Sequence, residues 1–288
     1  MKEQAGKDEG QAMQSWMKWA VLLLALPGCR KQDGAENRQA PAVVAVDAAT
    51  PVNGSAPSTP AAATVSPVAL ASDDGTLDFT YAWPGEAAAI PKLDSWLRGN
   101  ADTLKADALR AAKDDRKSAE KDGFPYRQHS YEEKWAVVAD TPRLLIMQSE
   151  DYVYTGGAHG MPISTAILWD RQTEKRLAIG ALMDVKKMAA ITRNAFCKAL
   201  DGERAKKRGG DPQSGATPDD PFNGCPDMAA QLVLPISSEA GAPLDRLRVY
   251  IGPYEAGPYA EGIYQMDLPF SRAMLVAVRP KWRDAFRV

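Results

Sequence analysis

The chain has 288 residues, 45% of them hydrophobic and 25% charged, an ordinary globular composition with apolar material for one large or two small domains. Its 35 Lys plus Arg against 37 Asp plus Glu provide no broad basic field to grip phosphates, which excludes nucleic acid as a partner. Two histidines in all exclude a three-histidine zinc site; neither lies in an HExxH or CxxC frame, so no metal or other cofactor is expected.

The first element is an export signal. Lys18 precedes the apolar run Trp19 to Leu26, which ends in Leu26-Pro27-Gly28-Cys29. That run is too short for a permanent bilayer span, which needs about 20 apolar residues, and it fits a signal-peptide plan. Residues 1–28 are read as a lipoprotein signal peptide. The acidic residues before Ala12 suit an n-region poorly, so Met13 or Met17 is an alternative start. A small residue followed by cysteine resembles the bacterial lipobox, which makes Cys29 the expected lipid attachment point: the protein is tethered to a membrane without spanning it. The plainer alternative is a secretory peptide with an incidental cysteine. Arg30 and Lys31 stand where an aspartate would signal inner-membrane retention, so the expected location is the bacterial cell envelope, at the outer membrane facing the periplasm.

From Cys29 to Gly75 the chain is rich in Ala, Pro, Ser and Thr with almost no aromatics. Such a segment buries too little surface to order itself and reads as a semi-stiff spacer. The folded region is expected at 76–288, and a boundary near 122 would divide it into two intimate subdomains.

Leu77 to Trp83 alternates like a strand and is stopped by Pro84-Gly85. Leu97, Ala101, Leu104, Ala108 and Ala111 form one apolar helical stripe, with Asp114 to Asp122 as its wet end. Tyr131 to Val138, Leu144 to Tyr154 and Pro162 to Trp169 predict an antiparallel meander. Asp184 can cap a second helix with Val185, Met188, Thr192, Phe196 and Ala199 on one face, stopped by Lys206-Lys207-Arg208-Gly209-Gly210. Further strands are expected at Ala230 to Pro235, Leu247 to Ile251 and Ile263 to Leu268, with Ser271 capping a short helix. The fold class is α+β, helices packed on antiparallel sheet.

Cys197 on the second helix and Cys225 in the polar loop after it are expected to pair, since thiols in an exported protein usually do. The bridge would contribute roughly 3 kcal/mol by chain entropy.

Two stretches carry the recognition chemistry. In Tyr154-Thr155-Gly156-Gly157-Ala158-His159-Gly160, Gly156 and Gly157 can take positive φ, which suits a hairpin reversal with Tyr154 and His159 at its rim. In Pro253-Tyr254-Glu255-Ala256-Gly257-Pro258-Tyr259-Ala260-Glu261-Gly262, Tyr254 and Tyr259 alternate with Glu255 and Glu261, rigid aromatics beside acceptors. Without a GxSxG elbow there is no case for a serine nucleophile, and no catalytic residue is assigned. A carboxylate-assisted hydrolase using Glu255, Asp151 or Glu261 with His159 is the enzymatic alternative, and a purely structural envelope lipoprotein is the third reading.

These stretches, with Trp169-Asp170 and Leu268-Pro269-Phe270-Ser271, resemble the domain of unknown function shared by the C-terminal part of the anti-sigma factor RsiV and the non-catalytic part of the deacetylase PdaC. The resemblance runs from Phe79 to Ala277. It implies an extracytoplasmic α+β binding domain whose ligand is a lysozyme-like protein or peptidoglycan. Neither a cytoplasmic sigma-binding segment nor the Asp and His motifs of the deacetylase accompany it, so those two activities are not implied.

Overall fold

The computed structural model describes residues 65–212, 222 and 224–288, all within one compact unit, Ser58–Val288. The expected signal peptide, its alternative starts and Cys29 lie outside the described residues. Among those residues no helix is long and apolar enough to cross a membrane.

Order begins earlier than composition suggests. Val68–Asp73 forms β1, antiparallel to β2, Leu77–Trp83, so the spacer does not extend to 75. The turn between them is built by two aspartates: Asp73 Oδ1 accepts from the amide of Gly75, and Asp74 Oδ1 accepts from those of Thr76 and Leu77. Gly75 supplies a φ of 73°. Alternation in β2 buries Leu77, Phe79, Tyr81 and Trp83.

A short helix α1, Gly85–Ala88, leads into α2, Pro91–Asp122, with proline in its first turn and Gly123 in left-handed conformation at its end. The buried stripe is Leu93, Leu97, Ala101 and Ala112; Ala111, expected inside, is exposed, because about three full turns beyond Ala101 bring Ala112 onto the buried face and turn Ala111 away from it. This long crossover brings β3, His129–Asp140, alongside β2 in parallel register, Leu77 opposite His129. The expected meander is therefore antiparallel except at this pair, since only a crossover can join parallel neighbours. The sheet runs unbroken past residue 122.

Strand β4, Leu144–Tyr154, pairs with β3 along its length, with a bulge between Val137 and Ala139. β5, Met161–Ile163, covers the far end of β4; β6, Ala166–Asp170, covers the near end and is followed by β7, Lys175–Leu177. A one-turn helix α3, Ile179–Leu182, precedes α4, Val185–Lys207, whose first turn is capped by Asp184 accepting from Lys187 N. Met188, Thr192, Phe196, Leu200 and Arg204 form its buried face. A second sheet, ordered β10-β9-β8, consists of β8 at Leu232–Ile236, β9 at Arg246–Ile251 and β10 at Tyr264–Pro269. The segment after Ser271 is a 3-10 helix, Arg272–Val276.

The two faces of the large sheet serve separate cores. Odd-numbered residues of β2 and β4 pack under α2, with Trp135, Ile167 and Trp169. Leu144, Ile146 and Leu168 point the other way, into a core shared with the small sheet and α4. This is the α+β arrangement of helices against mostly antiparallel sheet.

Cys197 and Cys225 form a disulfide, their Cα atoms 5.5 Å apart and 28 residues apart in sequence. Loop-closure entropy for that separation predicts that replacing both by serine lowers stability by about 3 to 4 kcal/mol. Urea unfolding under non-reducing conditions measures it; unchanged stability in the double variant would show that the bridge constrains nothing.

Candidate functional site

The glycine corner is the hairpin connection between β4 and β5, with Val153 opposite Met161. Of its two expected left-handed glycines only Gly156 is one, at φ 81°. Gly157 has no positive φ, and a Cβ there would meet nothing within 4 Å. Its part is played by its carbonyl, which accepts from Tyr154 Oη at 3.1 Å and from Arg127 Nη1 at 3.1 Å. A steric demand falls instead on Gly160, where a Cβ would lie 2.3 Å from the Tyr152 ring. Tyr152 Oη accepts from the Gly160 amide at 3.1 Å, so ring and backbone close on each other.

The second stretch folds against this corner although the contacting residues lie 95 to 99 positions apart in sequence. Tyr259 stacks on His159 with ring centroids 3.7 Å apart and donates through Oη to the Gly160 carbonyl at 2.7 Å. His159 Nδ1 lies 3.0 Å from that same carbonyl. A carbonyl can only accept, so Nδ1 carries a proton, and in the neutral ring Nε2 is free to accept from Tyr254 Oη, 3.3 Å away. Tyr254 itself is exposed and sits at φ 68°, a left-handed conformation that costs a non-glycine residue about 1 kcal/mol or more. The Tyr254 amide donates to the Gly257 carbonyl, closing the turn that imposes it.

Tyr154, Gly156, Gly157, His159, Tyr254 and Tyr259 thus gather in one place. Glu255 is exposed. Glu261 is a strut: Arg208 donates to both its oxygens, at 2.8 and 2.9 Å, and Tyr264 Oη donates to Oε2. The Glu261 carboxyl is held below its usual range, the Arg208 and Tyr264 hydrogen bonds outweighing its partial burial.

The residues of the hydrolase alternative are dispersed. Asp151 faces the α2 side of the sheet, opposite Glu133 in the β3–β4 register, and both are more than nine-tenths buried. Tyr131 Oη donates to Glu133 at 2.7 Å and Ser149 Oγ to Asp151 Oδ2 at 3.0 Å, while Asp151 Oδ1 is buried without a partner among the described residues. Burial first, and the Glu133 charge second, push the Asp151 carboxyl up to about 8; burial also raises Glu133. Among the described residues, the hydrogen-bond and ring partners of His159 are Tyr254, Tyr259 and Gly160, none of them a carboxylate.

Sequence reasoning missed Tyr152, Arg127 and the Glu133–Asp151 pair. The pair had a signal: the alternation Tyr131, Glu133, Trp135 places an acid on an otherwise apolar strand face.

Residues 71–162 match the family model described as deacetylase PdaC. The resemblance carried by Tyr154 to Gly160 falls inside that segment, and the part carried by Pro253 to Gly262 lies beyond it. Among solved structures, the chain is similar to a DUF3298 family protein from Pseudomonas aeruginosa, at 18% identity and a TM-score of 0.43 over 78% of this chain and 97% of that one. It is also similar to a member of the same family from Bacteroides fragilis, at 14% identity and a TM-score of 0.44 over 74% and 92%. No curated protein matches the chain.

The acid pair makes stability depend on pH. An unfolded aspartate loses its proton near 3.8 whereas folded Asp151 keeps one until about 8, so between these values the native state binds more protons and stability falls as pH rises. One proton gives a slope of about 1.4 kcal/mol per pH unit at most, shared with Glu133 as a coupled pair. Asp151→Asn is expected to flatten the stability profile between pH 4 and 8, measured by urea unfolding at stepped pH. Parallel profiles for variant and parent would show that the buried pair does not hold the proton.

Proposed function

We propose that the protein is a lipid-anchored binding module of the bacterial cell envelope, recognising a lysozyme-like protein or peptidoglycan through the rim of His159, Tyr254 and Tyr259. The observation that carries this reading is how the rim spends its polar groups. The hydroxyls of Tyr154 and Tyr259 go to loop carbonyls, that of Tyr254 to His159, and that of Tyr152 to the Gly160 amide. What remains for a ligand is ring surface, with Tyr254 and Tyr152 exposed. Rigid aromatic faces on a fixed loop suit a binding contact, in which large area is presented at small entropic cost.

The imidazole supports the same reading. Nδ1 and Nε2 are both engaged within the rim, and a general base needs a free nitrogen within reach of the proton it takes. The PdaC-type match over 71–162 supports an extracytoplasmic setting, as do the signal-like run before Cys29 and the cysteine itself. An acylated Cys29 would tether the domain by its spacer, with Arg30 and Lys31 favouring the outer membrane and a periplasm-facing domain.

Two measurements test this. Tyr254→Gly relieves the left-handed backbone, so the variant should unfold at the same denaturant concentration or higher, yet bind immobilised peptidoglycan or lysozyme roughly five- to thirtyfold more weakly, the scale of one anchoring side chain at about 1 to 2 kcal/mol. Undiminished binding would remove Tyr254 from the contact, and product release from peptidoglycan that vanishes in His159→Ala would replace the binding reading with an enzymatic one. For the anchor, cells fed a clickable palmitate should label the protein, and Cys29→Ser should abolish the label; equal labelling of both would dismiss acylation at Cys29.

A further inference from the structure

A cleft of about 280 Å³ lies beside the glycine corner and shares Gly156 with it. Its wall is formed by the end of α2 and the segment leading into β3. Phe124, next to the helix stop, is 70% exposed. Tyr126 is fixed by donating to the Thr76 carbonyl at 2.6 Å and by stacking on His129.

Two opposite charges line this small space without neutralising each other. His129, 4% exposed on the cleft lining, has Nε2 3.1 Å from Asp115 Oδ2. Burial holds the imidazole below its ordinary range, so near pH 7 it is the neutral donor that orients the Asp115 carboxylate, whose side chain is 59% exposed. Arg127 is oriented from the other side, its Nη1 donating to the Gly157 carbonyl at 3.1 Å and the Gly156 carbonyl at 3.5 Å. Its Nε and Nη2 have no partner among the described residues, and Arg127 and Asp115 are not paired with each other.

A positioned anion and a positioned cation at the edge of one cleft, whose apolar lining includes Phe124, Pro125 and Ala119, are complementary to a group that carries both signs itself. Desolvating either charge against a neutral ligand would cost free energy, whereas a zwitterion compensates both. The volume, at or below the lower end of small-molecule sites, admits an amino acid and no long oligomer. We propose that this cleft binds a zwitterionic α-amino acid head group, its ammonium on Asp115, its carboxylate on the free edge of Arg127 and its side chain against Phe124. The site adjoins the glycine corner through Gly156 and Arg127, but its ligand is independent of the rim's.

Titrating the purified full chain with leucine, leucinamide and N-acetylleucine, followed by nuclear magnetic resonance of the Phe124 and His129 rings, tests the charge requirement. Leucine should bind saturably, and the two singly charged derivatives at least tenfold more weakly. Asp115→Asn keeps a side-chain oxygen to accept from His129 yet removes the charge; it should weaken leucine and leucinamide tenfold or more while leaving N-acetylleucine unchanged. Phe124→Ala, at an exposed position, should weaken leucine several-fold more than glycine. Nε-acetyl-lysine, which carries the same head on a long arm, separates a free amino acid from a peptide branch: tighter binding than leucine assigns the site to a branch end, weaker binding to a free amino acid, and either supports the head-group assignment. No saturable change up to 50-fold molar excess at millimolar protein, equal binding of all three leucine compounds, or leucine binding indifferent to Asp115→Asn would each overturn it.

Discussion

The guanidinium of Arg204 is the constraint from which much of the tyrosine edge hangs. It lies fully buried at the end of α4 and donates to the carbonyls of Phe222, Gly224 and Ala256, with Asp201 as its ion partner. A buried cation is expensive unless its donors are satisfied. Here they are satisfied by three backbone carbonyls that no strand or helix ladder uses, so the cost of burial is offset by fixing segments that lack regular structure. One of them, Ala256, belongs to the turn that sets Tyr254 at positive φ. Helix α4 and the tyrosine turn are thereby a single body, and Arg208 with Glu261 repeats the connection one turn further along.

The opposite half of the edge is positioned by sheet register. Pairing of β4 with β3 and β5 fixes where Tyr152 and Tyr154 emerge, and alternation then puts them and Asp151 on opposite sides. A one-residue slip would bring the acid pair to the surface and bury the tyrosines. The carboxylates that destabilise the sheet end at neutral pH and the rings that form the rim therefore depend on the same register. Arg127 adds a lateral tie, since the segment entering β3 holds the carbonyls of the corner that leaves β4.

Local patterns made the helices and most strands legible. Asp184 announced α4, and the spacing of Met188, Thr192 and Phe196 gave its inner face. That same spacing leads through Leu200 to Arg204, yet a cation near a helix end reads as a dipole-complementing stop, and its burial depends on carbonyls distant in sequence. β1 was hidden by composition: its alanines resemble the spacer, and only the Asp-Asp-Gly turn marked the hairpin. The parallel pairing of β2 with β3 is non-local and leaves no imprint on either strand. Convergence of the glycine corner with the tyrosine turn is visible only in the fold, because nothing in either stretch specifies the other. The disulfide was legible from the expected export and from the polar loop between the two cysteines; Cys29 and the expected signal segment lie outside the described residues.

The way the rim uses its hydrogen bonds fits the proposed binding role better than turnover. An active site keeps polar groups unspent until a transition state needs them, whereas here four tyrosine hydroxyls and the ring nitrogens of His159 are consumed in holding two loops together. That consumption stiffens the loops before any ligand arrives, which lowers the ordering cost of binding. It also explains why a left-handed tyrosine is tolerated at 254: the Gly257 carbonyl, the His159 nitrogen and the Arg204 tie to Ala256 over-determine its backbone, and strain of that kind persists only where surrounding bonds enforce it. The side chain so enforced is left exposed, the single position in the rim where relaxing the backbone would bring a gain in stability and a loss of contact area at once.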